Sequence, residues 1–367
     1  MSVRALYASD RSSFLANGLS WFLRTLSIPY GWATSCRNML YDRGLLSQRR
    51  LSCRVVSIGN LTVGGTGKTP VTIAVTQALL AAGHRVAVLS RGYRRRSRAR
   101  HVLVSNGHKI LVGPAEAGDE PFLIAQRCPQ AVVAVGSNRY ELGRWVSAQC
   151  SIDCVVLDDG FQHRALYRDV NLLLVDATDE HGLRALVPAG RLREPVSAAA
   201  RATALLITRI DAKADAQPIV SLIQEAMDRE VQPILIRFAP QGFVDAHTGT
   251  GVSLEALTGQ RVVIFSGIGN AGAFRTSVLR QGLIVVDEVV FPDHHAYTAS
   301  DVNRVKARAE RVGAPMLVTT EKDAVKLHAL PPLSMPVWAM RVDMQILEGE
   351  DRLKQLLSAG LETRGDG

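Results

Sequence analysis

Unbroken apolar runs set the pattern through the middle of the chain. "RVVSIG" carries Val55, Val56 and Ile58, and "HRVAVLS" (84–90), "AVVAVG" (131–136), "CVVLDD" (154–159), "NLLLVD" (171–176) and "ALLITRID" (204–211) follow. Short continuous runs predict strands buried on both faces, as in a parallel sheet covered by helices on both sides. Between the first two runs the spacing predicts a helix from about Lys68 to Ala82, with Pro70 in its first turn and Gly83 just past its end. Strand, loop, helix and strand within about 35 residues make a βαβ unit. Residues 51–232 thus read as a doubly wound, mostly parallel α/β domain.

A second unit follows. Residues 233–252 read as two strands around a Gly-rich turn, forming a hinge. Residues 253–360 read as a smaller α/β domain: strands in "RVVIFSGIGN", "IVVDEVVF", "PMLVTT" and "PVWAMRVD", helices in "AGAFRTSVLRQG" and at 299–312, then a loose tail, "ETRGDG". At the other end, residues 1–50 form a separate segment. Leu15, Leu19, Phe22 and Leu26 fall on one helical face, Arg24 interrupts the run, and Pro29 is expected to end the helix. Two readings stand open: a helix packed on the core, or one lying in a membrane interface with Arg37, Arg43, Arg49 and Arg50 meeting anionic lipid. The pattern contains neither a bilayer-spanning run nor a signal-peptide cleavage site.

Composition sharpens this. Hydrophobic residues make up 47% of the 367 positions, enough for a large core. The formal charge of +9 favours an anionic partner. Six arginines crowd "RGYRRRSRARH" (91–101). The five cysteines form no C-x-x-C pair and no metal-ligand spacing, which points to a reducing, cytosolic environment.

The chemistry concentrates in "NLTVGGTGKTP". A phosphate-binding loop reads G-x-x-x-x-G-K-[ST]; here Gly67, Lys68 and Thr69 match and Thr62 replaces the first glycine. Gly64, Gly65 and Gly67 supply the lack of bulk that lets backbone N–H groups approach phosphate, and a helix follows immediately. Thr62, Val63, Gly64, Gly65, Thr66, Gly67, Lys68 and Thr69 are therefore the candidate nucleotide cradle. Val63 stands where dimerising nucleotide switches carry a second lysine, and this loop does not read G-x-G-x-x-G. "VVLDDGFQHR" ends an apolar strand in Asp158 and Asp159, the pattern of a carboxylate in a magnesium shell. "GDEP" places Asp119 and Glu120 at a helix start, where an ordinary N-cap is the leading reading and spacing alone assigns no catalytic role. "FPDHHAYT" offers Asp293, His294, His295 and Tyr297; adjacent histidines poorly suit one zinc ion. "TRID" (208–211) lacks the Asn and Lys of a guanine-binding motif.

Taken in order, "IGNLTVGGTGKTP", "VLSRGYRRR", "GDEP", "VGSNR", "LDDGFQHR", "LVPAGRLREP", "FSGIGN", "FPDHHAYT" and "TEKDAVKL" cover most of the chain. Together they resemble the tetraacyldisaccharide 4′-kinases, the lipid A 4′-kinases of Gram-negative bacteria. That family's loop also begins with Thr; it usually has "RGYGG" where this chain has Arg94 and Arg95. The resemblance implies transfer of the γ-phosphate of ATP to the 4′-hydroxyl of an acylated glucosamine disaccharide 1-phosphate. The partners would be that lipid and the cytoplasmic face of the inner membrane, with no nucleic acid. It implies Mg²⁺ held by Thr69, Asp158 and Gln162, and a base, Asp119, paired with His294 across the hinge. Asp159 joins this catalytic set, and Arg91, Asn138, Arg139, His163 and Glu194 are implied for the substrate. The alternative is a membrane-associated nucleotide switch without a lipid acceptor.

Overall fold

The computed structural model describes residues 3–210 and 216–361. Its strands are β1 (Arg54–Asn60), β2 (Val86–Ser90), β3 (His101–Asn106), β4 (Val132–Gly136), β5 (Cys154–Asp158), β6 (Val170–Asp176), β7 (Ala204–Thr208), β8 (Ile234–Asp245), β9 (Gly251–Val252), β10 (Arg261–Ser266), β11 (Ile284–Val290), β12 (Met316–Thr320) and β13 (Val337–Glu348). The helices are α1 (Val3–Asp42), α2 (Lys68–Ala81), α3 (Pro114–Ala117), α4 (Asp119–Arg127), α5 (Arg139–Ser147), α6 (Gln217–Met227), α7 (Ala271–Arg280), α8 (Ala299–Arg311), α9 (Glu321–Leu327) and α10 (Glu350–Ser358). The fold is mixed α/β around a large, mostly parallel sheet.

The strands form one sheet in the order β11-β10-β12-β13-β8-β7-β6-β1-β5-β2-β4-β3. Every residue of β2, β4, β5, β6 and β7 is buried, as their apolar runs require. Helices α2 and α4 cover one face over Val56, Ile58, Val88 and Val156; α5 covers the other over Val55, Ala87 and Leu157. The polar exceptions sit at the C-terminal strand ends: Asn60, Ser90, Asp158, Asp176 and Thr208 are buried there. Such an edge is where doubly wound sheets bind ligands.

Three sequence expectations change. First, the Gly-rich turn after β8 does close a hairpin, but only with the two-residue β9. The strand running the length of β8 is β13, antiparallel from Trp338 opposite Asp245 to Glu348 opposite Leu235. The pairing is non-local, so spacing along the chain does not reveal it. Second, β3 was not foreseen; it follows the arginine run and closes the sheet edge antiparallel to β4. Third, Pro29 does not end α1, which continues to Asp42. A helix-interior proline costs about 3 kcal/mol, and tertiary contacts offset it. Ser27 Oγ donates to the Leu186 carbonyl at 3.0 Å, Tyr30 Oη to that of Arg193 at 2.8 Å, and Asn38 Nδ2 to Glu194 at 2.8 Å. Polar residues therefore face the body, while Trp21, Ile28, Trp32 and Met39 form an exposed stripe. The side chains of Leu15 and Leu19, Asp211 of "TRID" and the tail from 362 lie outside the described residues.

Glu194 is the anchor of this docking. It is fully buried and accepts from Arg201 at 2.6 Å as well as from Asn38. Burial alone would raise its pKa, but Arg201, Asn38 and Arg37 outweigh it and hold the carboxyl below the usual range. A depressed carboxyl stabilises the fold above its unfolded pKa, and that contribution is lost as pH falls through the folded value. Glu194→Ala strands a buried guanidinium and is expected to cost about 3–5 kcal/mol. Thermal melts at neutral pH read this, and the gap from the parent protein should close in acid.

Candidate active site

The phosphate loop joins β1 to α2. Gly64 and Gly67 have φ of 116° and 85°, a region that L side chains rarely adopt. A Cβ on Gly67 would also lie 2.1 Å from the Phe238 ring. Thr62 carries neither demand. Thr62 pairs antiparallel with Leu192, and the Val63 N–H donates to the Arg191 carbonyl at 2.7 Å. The missing first glycine is thus a strand-like position that tolerates a side chain. Three loop carbonyls are tied back by arginines: Thr62 to Arg193 at 3.0 Å, Val63 to Arg191 at 2.9 Å and Gly65 to Arg209 at 2.8 Å. Since C=O and the following N–H of a trans peptide point oppositely, the Gly64 and Thr66 amides face away from those guanidiniums.

Lys68 opens α2 and donates to Asn60 Oδ1 at 3.0 Å; Asp159 lies 3.7 Å away. Burial lowers its pKa, and Asp159 opposes that. Asp159 has φ of 51° and is gripped by both terminal nitrogens of Arg193, at 3.0 and 3.1 Å. Asp158 ends β5. Its carboxyl accepts from Ser90 Oγ at 2.9 Å and Thr72 Oγ1 at 3.3 Å, one turn into α2 from Thr69. Burial, with Glu120 and Asp159 nearby, pushes it up to about 6. A buried carboxylate in acidic company at the start of α2 suits a divalent cation. Mg²⁺ is normally held by one or two carboxylates plus phosphate and water, and Asp158 is one carboxylate of that kind. Gln162 fits less well. Its Nε2 donates to the Asn60 carbonyl at 2.9 Å and its Oε1 accepts from Arg193 at 3.1 Å. Here Gln162 braces β1 to Arg193.

Asp119 and His294 come from opposite halves of the sheet. Asp119 begins α4, and His294 lies in the loop after β11, its Nδ1 3.7 Å from Asp119 Oδ2. The neighbouring His295 turns away to Asp301 at 3.1 Å and stacks on Phe291. His294 has φ of 58°, and Tyr93 packs edge-on to its ring. Such strained residues cost about 1–3 kcal/mol each and concentrate at functional sites.

The residues expected at the substrate divide. Arg139 is buried, with Nε unpartnered among the described residues, as is His163 Nε2. Burial and the surrounding Arg139, Arg168, Arg37 and Arg91 lower His163 to about 4, so it is neutral at physiological pH. Arg91 is exposed at the end of β2. Two others depart from expectation. Asn138 caps α5, its Oδ1 accepting from the Tyr140 and Glu141 N–H groups. Glu194 is enclosed under α1, its acceptors taken by Arg201 and Asn38. Sequence reasoning missed Arg193, Asn60, Lys322 and Lys326. Each stands inside a quoted motif, Asn60 in "IGNLTVGGTGKTP", Arg193 in "LVPAGRLREP" and Lys322 and Lys326 in "TEKDAVKL", but spacing gave none of them a role.

A phosphate loop at a parallel-sheet edge, a buried aspartate beside it and an Asp–His pair facing it define a P-loop phosphotransferase. A family model described as tetraacyldisaccharide-1-P 4′-kinase (LpxK) matches residues 19–362. The tetraacyldisaccharide 4′-kinase of Anaeromyxobacter sp. (strain Fw109-5) is 43% identical over 333 residues, covering 90% of this chain and 89% of that one. That of Syntrophus aciditrophicus (strain SB) is 37% identical, covering 92% and 91%. A crystal structure of LpxK from Aquifex aeolicus in complex with ATP superposes with a TM-score of 0.74 at 32% identity, covering 94% of this chain and all of that one. The chain belongs to the tetraacyldisaccharide-1-P 4′-kinase family.

The raised Asp158 has a consequence for stability. A carboxyl whose folded pKa exceeds its unfolded value of about 3.9 favours the fold in acid, and that contribution fades as pH rises towards about 6. Asp158→Asn keeps one acceptor oxygen, offers the second hydroxyl an N–H₂ to accept from, and carries no charge. Without nucleotide or metal, the variant should melt above the parent at pH 7.5 and level with it near pH 4, as differential scanning fluorimetry would register.

Proposed function

We propose that the protein is the ATP-dependent kinase of lipid A biosynthesis that phosphorylates the 4′-hydroxyl of tetraacyldisaccharide 1-phosphate. Family membership supports the reaction; the observation that carries the mechanism is Asp119 lying 3.7 Å from His294, next to Glu120, whose charge acts on Lys68 of the phosphate loop. The Gly64 and Thr66 amides and Lys68 would hold the ATP phosphates, with Thr69 and Asp158 holding Mg²⁺, which neutralises phosphate charge when bound. Asp119 takes the proton of the acceptor hydroxyl as its oxygen bonds to the γ-phosphorus and the bond to ADP breaks. His294 orients Asp119. Asp159, locked by Arg193, keeps Lys68 aligned. Arg91, Arg139 and neutral His163 supply cationic and hydrogen-bonding groups for an anionic substituent, and the 1-phosphate is the one this acceptor brings. The alternative, a nucleotide switch without a lipid acceptor, is not favoured by this family.

Mixed micelles containing labelled ATP and the lipid disaccharide test the reading. Asp119→Asn should lower kcat by about 10²–10⁴ and leave ATP affinity nearly unchanged. A comparable loss of nucleotide binding would make Asp119 a metal ligand, and phosphate release without labelled lipid would favour the switch.

The enzyme is proposed to work as a peripheral protein on the cytoplasmic face of the inner membrane. No helix among the described residues is long and apolar enough to cross a bilayer. The stripe of Trp21, Ile28 and Trp32, 72%, 59% and 77% exposed, would enter the lipid interface instead. Replacing all three by Ser should release the protein from anionic vesicles in flotation while micellar ATP binding persists.

A further inference from the structure

We infer that Lys326 is a positioning residue for Asp119, holding the base from the opposite half of the sheet. The inference rests on the reading of Asp119 as the base. α9 packs against α4 and presents two ammonium groups, one turn apart, to the first two residues of α4. Lys322 Nζ lies 3.0 Å from Glu120 and 3.3 Å from His294 Nε2. Lys326 Nζ lies 4.0 Å from Asp119 Oδ2.

Lys326 is the more constrained of the two. Its side chain is 6% exposed, so its three donors must be met by protein. One goes to Asp323 Oδ1 at 2.9 Å. The Tyr297 ring lies 5.6 Å away, within cation–π reach. The direction that remains is the one towards Asp119. Asp323 cannot shift to relieve this arrangement, because it is fully buried and its Oδ2 accepts from the Gly267 N–H at 3.0 Å and Thr320 Oγ1 at 2.8 Å. The ammonium is therefore a fixed point of the second half, placed against one oxygen of Asp119. His294 Nδ1 faces the same oxygen. Two cationic or donor groups on Oδ2 leave Oδ1 as the oxygen open to an acceptor hydroxyl. A general base must sit within hydrogen-bond reach of the proton it takes, and restraint of this kind raises kcat without adding to nucleotide binding.

The competing account is that Lys326 merely compensates the buried charge of Asp323. A set of variants separates the two. Lys326→Met keeps length and loses charge; it should lower kcat about tenfold or more with KM for ATP little changed, and in an Asp119→Asn background the same substitution should cost less than about twofold, as coupled residues behave. Lys326→Met alone leaves Asp323 uncompensated, so Asp323→Asn/Lys326→Met is made as well, removing both charges while Asn keeps an acceptor for the Gly267 N–H. That double variant should fold, by thermal melt, and still show the kcat loss. Recovery of parental kcat in it, or equal fold-losses from Lys326→Met with and without Asp119, would overturn the inference. If Asp119→Asn alone leaves kcat intact, the base assignment itself fails, a result distinct from either.

Discussion

The antiparallel ladder between β8 and β13 is the constraint on which the site depends. Each strand is twelve residues long, and each belongs by parallel pairing to a different half: β8 to β7, β13 to β12. One continuous sheet therefore carries the phosphate loop, Asp158 and Asp119 on one side and the His294 loop and α9 on the other. The site is made by bringing together loops from both halves, and the ladder sets how they meet. Side chains then bolt the junction: Arg127 of α4 reaches Glu321 at 2.7 Å, and Arg341 of β13 reaches the same carboxylate at 3.1 Å. The Asp119–His294 pair spans this joint, so the base proposed there would be complete only with the halves together, which would keep water from competing for the phosphate.

Within the first half, charge is arranged by pairing rather than by exposure. Asp159 is neutralised by Arg193 and Lys68, whereas the adjacent Asp158 accepts from hydroxyls and feels Glu120 and Asp159 more strongly than Lys68. Adjacent carboxylates thereby take different parts: one fixes the lysine, and the other is left needing a cation. The backbone enforces the division, since the positive φ of Asp159 turns its side chain away from the direction β5 gives Asp158.

Much of this was legible in the sequence because it is local. Continuous apolar runs gave the buried strands to within a residue or two, and Gly64, Gly67 and Lys68 announced the phosphate loop at fixed spacing. What was not legible is non-local or contextual. The partner of β8 lies far along the chain, so the strands at 233–252 looked like a self-contained hinge. Glu194 and Asn138 stand in motifs yet serve docking and capping, and Gln162 Oε1 accepts from Arg193. Pro29 is a helix breaker by local rules, overridden here by three tertiary hydrogen bonds along α1. Lys322 and Lys326 occupy an ordinary charged helix face until α4 is packed against it.

The segment 186–194 joins α1 to the phosphate loop. Its Leu186 and Arg193 carbonyls and its Glu194 carboxylate hold Ser27, Tyr30 and Asn38 of α1, while the side chains of Arg191 and Arg193 hold the carbonyls of Val63 and Thr62. The same short stretch thus seats the helix with the exposed tryptophans and fixes the loop expected to bind phosphate. Arg193 takes part in both, its carbonyl turned to Tyr30 and its guanidinium to Asp159 and Thr62. Displacement of α1 would be felt at the loop carbonyls through one residue of separation. An amphiphilic acceptor has its acyl chains in lipid and its reacting hydroxyl at the nucleotide, so an enzyme acting on it must fix the distance between an interfacial element and a phosphate cradle. If α1 is the interfacial element, as proposed, that distance would be set by hydrogen bonds to this one turn-rich segment instead of by a flexible linker.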